Sequence, residues 1–152
     1  MTARISITRL WSDEHVAELD IETSDGASVF RIQTYVGHDD IPDLVTDLDR
    51  FKQQVYGGIY DLEFGKFGPE YAGGAFFTRF HFHPAEHGRL RITIKAESDW
   101  HEFSETKVAS SAILYLKSEP AQLDRFIDEL RGLGVGGNTQ ATLAALSPDW
   151  IK

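Results

Sequence analysis

The stretch HFHPAEHG, residues 81–88, places His81, His83, Glu86 and His87 close together. Within it His83, Glu86 and His87 spell H-x-x-E-H, the string of an inverted zinc-peptidase motif. That chemistry needs a helix, which sets the two imidazoles a turn apart with the carboxylate beside a metal-bound water. The flanking residues deny it. Phe76, Phe80 and Phe82 alternate with Phe77, Arg79 and His81, Pro84 follows His83, and Gly88 follows His87. Period-two alternation broken by Pro and Gly predicts a hairpin with a loop from Pro84 to Gly88. In that hairpin His81 faces Arg91 and His83 faces Arg89, so both histidines join Arg79 and Lys95 in a cationic stripe. Cations repel a dication, and no metal site is expected.

Other chemistry-bearing strings read the same way. Gly132, Gly134 and Gly137 form a literal G-x-G-x-x-G, but a dinucleotide fingerprint follows a strand and opens a helix. This one follows a helical stripe and reads as a helix stop. The Gly-rich loop from Gly65 to Gly74 contains no G-K-S/T and is not a P-loop. Asp61 and Glu63 share a strand face and could pair for acid–base work; cross-strand charge pairing with Arg79 and His81 accounts for them as well. With no G-x-S-x-G and no cysteine, no catalytic residue and no cofactor are assigned.

Charge is the stronger signal. The 152-residue chain carries a formal net charge of −9, which disfavours broad binding to nucleic acid or to a membrane surface. It is unevenly spread: thirteen acids and three bases lie between Trp11 and Glu63, against four bases and one acid between Arg79 and Lys95. Glu18, Asp20 and Glu22 project from one strand face as an acidic rib, flanked by Asp13, Glu14 and Asp25. Such a rib suits a basic protein partner, because complementary charge raises the association rate. Arg79, His81, His83, Arg89 and Arg91 are the competing candidates, for an anionic ligand.

Nothing in the chain is apolar for long enough to span a membrane as a helix, and MTARISITRLW lacks the apolar run of a secretion signal. With no cysteine for disulfides, a cytoplasmic protein is expected. Ten Phe and 41% hydrophobic residues suffice for one core. One domain over residues 1–146 with a tail over 147–152 is expected.

The elements that must position these residues follow from periodicity. Arg4–Leu10, His15–Glu22 and Val29–Val36 alternate as strands, with Asp25-Gly26 in a turn. Ile41, Leu44, Val45, Leu48, Phe51 and Val55 recur at helical spacing until Gly57-Gly58. Four further strands are expected over Ile59–Phe64, Ala75–His83, Arg89–Glu97 and Lys107–Lys117. A second helix starts near Ser118 with the stripe Leu123, Phe126, Ile127 and Leu130, and a short third helix is expected from Thr139 to Leu146. The order βββ-α-ββββ-α predicts an α+β fold: one curved, mostly antiparallel sheet of about seven strands with two main helices on one face. Val29, Tyr35, Phe77, Ile113 and Tyr115 then cluster on the open face as a dimer patch. The string L-D-R-F occurs in both helices, at Leu48–Phe51 and Leu123–Phe126, and is read as coincidence between amphipathic helices rather than as duplication.

In element order, acidity and the strings DDIPDLVTDLDRF, YDLEFG, GRLRITIKAE and EPAQLDRFIDEL, the chain resembles small α+β immunity-type proteins of bacterial toxin–immunity systems. The resemblance spans residues 1 to about 134. It implies a non-enzymatic protein whose acidic face occludes a basic partner, with Glu18, Asp20 and Glu22 as the contact. The alternation of Phe77 with Arg79, His81, His83, Arg89, Arg91 and Lys95 also resembles the sheet faces of Whirly- and PUR-type single-stranded nucleic-acid binders. Against that stand the negative charge and only three strands before the first helix.

Overall fold

The computed structural model describes residues 2–86, 88–134 and 137–146. Strands β1 (Arg4–Ser12), β2 (Val16–Ser24) and β3 (Val29–Gly37) lead into helix α1 (Asp40–Phe51). Next come β4 (Ile59–Phe64), β5 (Ala75–Phe82) and β6 (Leu90–Glu97), a small hairpin of β7 (His101–Phe103) and β8 (Thr106–Val108), then β9 (Ser111–Ser118). The single strand expected over Lys107–Lys117 is thus broken in two, its start pairing with β7 instead. Helix α2 (Pro120–Gly134) and strand β10 (Gln140–Ala144) complete the order.

The α+β class and antiparallel pairing hold, but the single seven-stranded sheet does not. The strands divide into two four-stranded sheets, ordered β10-β1-β2-β3 and β4-β5-β6-β9, with β7-β8 apart. Helix α1 interrupts the chain between β3 and β4, and each of those strands ends as a sheet edge. The sheets meet where Gly74 N donates to the Gln33 carbonyl at 2.7 Å. They meet again where Ser118 Oγ donates to the Ala144 carbonyl at 2.6 Å and Leu146 N to the Lys117 carbonyl at 2.7 Å.

The expected third helix is a strand. Ala141 and Leu143 are fully buried while Gln140 is exposed and Thr142 half-buried, and β10 pairs antiparallel with β1 from Arg4↔Ala144 to Thr8↔Gln140. Ala and Leu favour helix locally. The open edge of β1 overrides that preference, because an unpaired strand edge beside a core must satisfy its N–H and C=O groups. This strand brings the first sheet to four strands, three from before α1 and one from the chain's end.

Helix α1 is shorter than the apolar stripe implied. It stops at Phe51, and Gly57 N and Gly58 N both donate to the Gln54 carbonyl in the turns that follow. Its Phe51 lies on the second sheet, stacked on Phe82 with ring centroids 5.0 Å apart. Helix α2 is tied to the first sheet, where Thr142 N donates to Glu129 Oε1 at 2.8 Å. The helices are joined by Arg131 to Asp49 at 2.7 Å and Lys52 to Asp124 at 3.5 Å. In both copies of L-D-R-F the Leu and Phe are buried, so the string marks the same inward face twice. One buried cluster joins residues of both sheets and both helices. Phe30 and Val55 pack against it only partly buried.

Candidate functional site: the outer faces of the two sheets

With the helices and core on one side, each sheet turns its alternate residues outward. On the first sheet Glu18, Asp20 and Glu22 do project from one face of β2, opposite Tyr35, Gln33 and Arg31 of β3. They differ sharply in surroundings. Asp20 is only 8% exposed and accepts from Arg31 Nε at 2.6 Å. Glu22 is paired with Arg4 of β1. Two of the three acids are therefore neutralised within the sheet, and the rib is not a continuous acidic strip.

Glu18 is the exception. Among the described residues no cation lies within ion-pair distance of it. It is opposite Trp11 of β1 and Tyr35 of β3. These rings are tilted at 59° with centroids 6.5 Å apart, and each is nearly half exposed. The Glu18 carboxylate, through hydrogen bonding and charge, holds the Tyr35 phenol above its usual pKa, with burial and Asp99 adding to the shift. The guanidinium of Arg31, held by Asp20 in the same way, is likewise pushed up.

On the second sheet the cationic stripe is also largely matched by carboxylates. Arg79 is held bidentately by Asp61, Nε to Oδ1 at 2.8 Å and Nη2 to Oδ2 at 2.9 Å. The pairing lowers the Asp61 pKa and raises that of Arg79. Glu63 sits opposite Phe77, not beside Arg79 or His81. Arg89 meets Glu119 at 3.2 Å. Lys95 lies over the ring of Phe67, 5.0 Å from its centroid.

The hairpin places His81 opposite Arg91, as its alternation implied, and the ladder closes at Phe82↔Leu90. His83 and Arg89 flank the last pair, and a single 3₁₀ turn, Pro84–Glu86, forms the tip. His83 Nδ1 accepts from Ala85 N at 3.1 Å, which fastens that turn. The T-shaped His81 and His83 rings are 5.3 Å apart. Glu86 reaches back over the sheet to Arg91 and to Lys117, the latter at 2.9 Å, and is only 18% exposed for a residue at a hairpin tip. Lys117 and then Arg91 hold its carboxyl below the ordinary range. The glutamate of H-x-x-E-H is thus the counter-ion of the stripe, while His87 lies outside the described residues. No cluster of three or more His, Asp or Glu with metal-holding geometry occurs among the described residues.

The expected dimer patch is split. Val29 and Tyr35 belong to β3 of the first sheet, whereas Phe77, Ile113 and Tyr115 belong to β5 and β9 of the second. Of the G-x-G-x-x-G, Gly132 and Gly134 lie in the last turn of α2, and Gly137 N returns to the Gly132 carbonyl at 2.8 Å. Residues 135–136 and the tail from 147 lie outside the described residues. No described helix is long and apolar enough to cross a membrane. Neither a protein-family model, nor a curated protein, nor a solved structure matches the chain.

Sequence reasoning passed over Trp11 and Arg9. Trp11 reaches Glu18 through a register shift between Arg9 and Trp11, a feature no local period announces. Arg9 was visible in principle: it continues the inward row of Ile5 and Ile7 at the next alternate position, where the pattern calls for an apolar residue.

Proposed function

We propose that the protein is a non-enzymatic binding module for a basic protein, docking through the outer face of the first sheet around Glu18. The observation that carries this reading is the contrast in charge pairing. Asp20 and Glu22 have cations of their own, whereas Glu18 has none among the described residues and is flanked by two half-exposed aromatic rings. A guanidinium or ammonium from a partner finds there both a carboxylate and ring faces, the combination that stabilises a desolvated cation. Trp and Tyr are also the residues that dominate interface energetics. The net charge of −9 favours approach of a basic partner. Occlusion of a basic cleft, the mode of immunity-type proteins, is the activity this face suits. On the second sheet, by contrast, Arg79, Arg89 and Arg91 are held by Asp61, Glu119 and Glu86.

The test is affinity capture by the tagged protein in its native cells at low and then high salt, with the retained species identified. A basic protein held by the parent and by Arg79→Gln, but lost from Glu18→Lys and Trp11→Ala, supports the reading. Retention unaffected by Glu18→Lys, or retention of nucleic acid lost on Arg79→Gln, refutes it in favour of the second sheet.

A further inference from the structure

Arg9 stands where a strand should bury an apolar side chain. Ile5 and Ile7, the preceding residues of the same row, are buried, and Arg9 pairs in register with Leu19, which is fully buried. A half-buried arginine ordinarily faces a carboxylate. Among the described residues none lies within ion-pair distance of it. Its Nη1 donates instead to the Leu133 carbonyl at 2.6 Å, in the last turn of α2. That carbonyl has no partner within the helix and sits at the negative end of the dipole. One of five guanidinium N–H donors is so used.

Beside Arg9 is a cavity of about 230 Å³, where the β1–β2 connection, the β3–α1 connection and the end of α2 converge. Its apolar lining is Val16, Ala17, Leu19, Val36, Ile41 and Leu133, of which the last four are buried members of the core. His38 is at its exposed rim. Asp13 also lines it, but its carboxylate is spent on its own turn, accepting from His15 N at 2.8 Å and Val16 N at 2.9 Å. The register shift follows immediately after Arg9, and bulges of this kind re-aim a side chain beside functional sites.

We infer that this cavity binds a small organic carboxylate, its carboxyl group on Arg9 and a short aliphatic or aromatic body on the apolar lining. A planar guanidinium matches a carboxylate with two parallel hydrogen bonds. A concave pocket that sets polar groups beside apolar walls is the usual form of a small-molecule site. The volume selects a compact ligand. The site is on the opposite side of β2 from Glu18, so it stands apart from the partner face.

The experiment is an amide-resolved NMR titration of the full chain with benzoate, hexanoate, benzamide and inorganic phosphate. Benzoate or hexanoate is expected to give saturable shifts around Ser12–Ala17 and Gly37–Ile41, with a Kd of about 1 mM or tighter. Benzamide, which lacks the charge, and phosphate, which lacks the apolar body, are expected to bind at least about tenfold more weakly. Arg9→Gln should lose carboxylate binding by at least about tenfold, while Arg9→Lys keeps part of it. Should Arg9→Gln not fold, Ala17→Leu, which fills the cavity and leaves Arg9 in place, should abolish binding. The inference is overturned if neither carboxylate gives a saturable shift, if benzamide or phosphate binds as well as benzoate, or if binding survives Ala17→Leu.

Discussion

Replacing Gly65 by Ala probes the junction on which the two-sheet architecture depends. Gly65 follows β4 with φ +68, and a Cβ there would lie 2.2 Å from the Gly74 carbonyl oxygen and 2.7 Å from Thr34 Oγ1. Both neighbours are at the seam, since Thr34 is on β3 and Gly74 N is bonded to Gln33. Left-handed backbone costs a residue with a Cβ roughly 1–2 kcal/mol. Overpacking against a backbone atom that cannot rotate away adds about 1–3 kcal/mol. The expected loss is therefore about 2–5 kcal/mol. Gly88 is the internal control: its φ is +84, but nothing lies within 4 Å of its would-be Cβ. Gly88→Ala should incur only the backbone term, about 1–2 kcal/mol. Equilibrium unfolding in urea measures both. With a slope near 2 kcal/mol per molar, Gly65→Ala lowers the midpoint by about 1–2.5 M and Gly88→Ala by about 0.5–1 M. Equal shifts for the two variants, or a loss under about 1 kcal/mol at Gly65, would refute the close approach of the sheets at this point.

Two further changes test the core. Tyr60 donates to Asp47 Oδ2 at 3.1 Å, and burial followed by Asp47 pushes its phenol well above the usual value. A proton held more tightly in the folded state stabilises it below the unfolded pKa of about 10, and that stability is lost as pH rises further. Tyr60→Phe should cost about 1 kcal/mol at neutral pH and flatten the alkaline fall in a stability–pH profile; parallel profiles above about pH 10 would refute the assignment. Thr78 is fully buried on β5, and among the described residues its Oγ1 has no partner. Thr78→Val should then raise stability by about 1 kcal/mol in urea unfolding, and a loss of that size would show that the hydroxyl is satisfied.

The charge pattern was legible only in part. Alternation correctly put Glu18, Asp20 and Glu22 on one outward face, because side-chain direction along a strand is local. Whether each acid is free depends on the strands beside it, and Arg4 and Arg31 occupy those places for Glu22 and Asp20. The hairpin at HFHPAEHG was legible because Pro84 and Gly88 break a period-two run. The engagement of Glu86 by Lys117 was not, since β9 pairs with β6 after an intervening hairpin.

By itself the sequence determined most of the strands and helices from Arg4 to Gly134 and which side of each is buried, but not the β7–β8 hairpin, which takes the start of the strand expected over Lys107–Lys117. Those properties follow from residue period and from Pro and Gly acting on their own neighbourhood. Tertiary structure alone decided that the strands form two sheets, that residues 140–144 join β1 as a strand, and that Glu18, among the described residues, lacks the cation given to its neighbours. It also decided that Arg9 meets a cavity and, among the described residues, no carboxylate at ion-pair distance. The reason is common to all four: strand edges and charges are satisfied by partners distant in the chain, and a local pattern specifies the face a residue shows but not what it meets there.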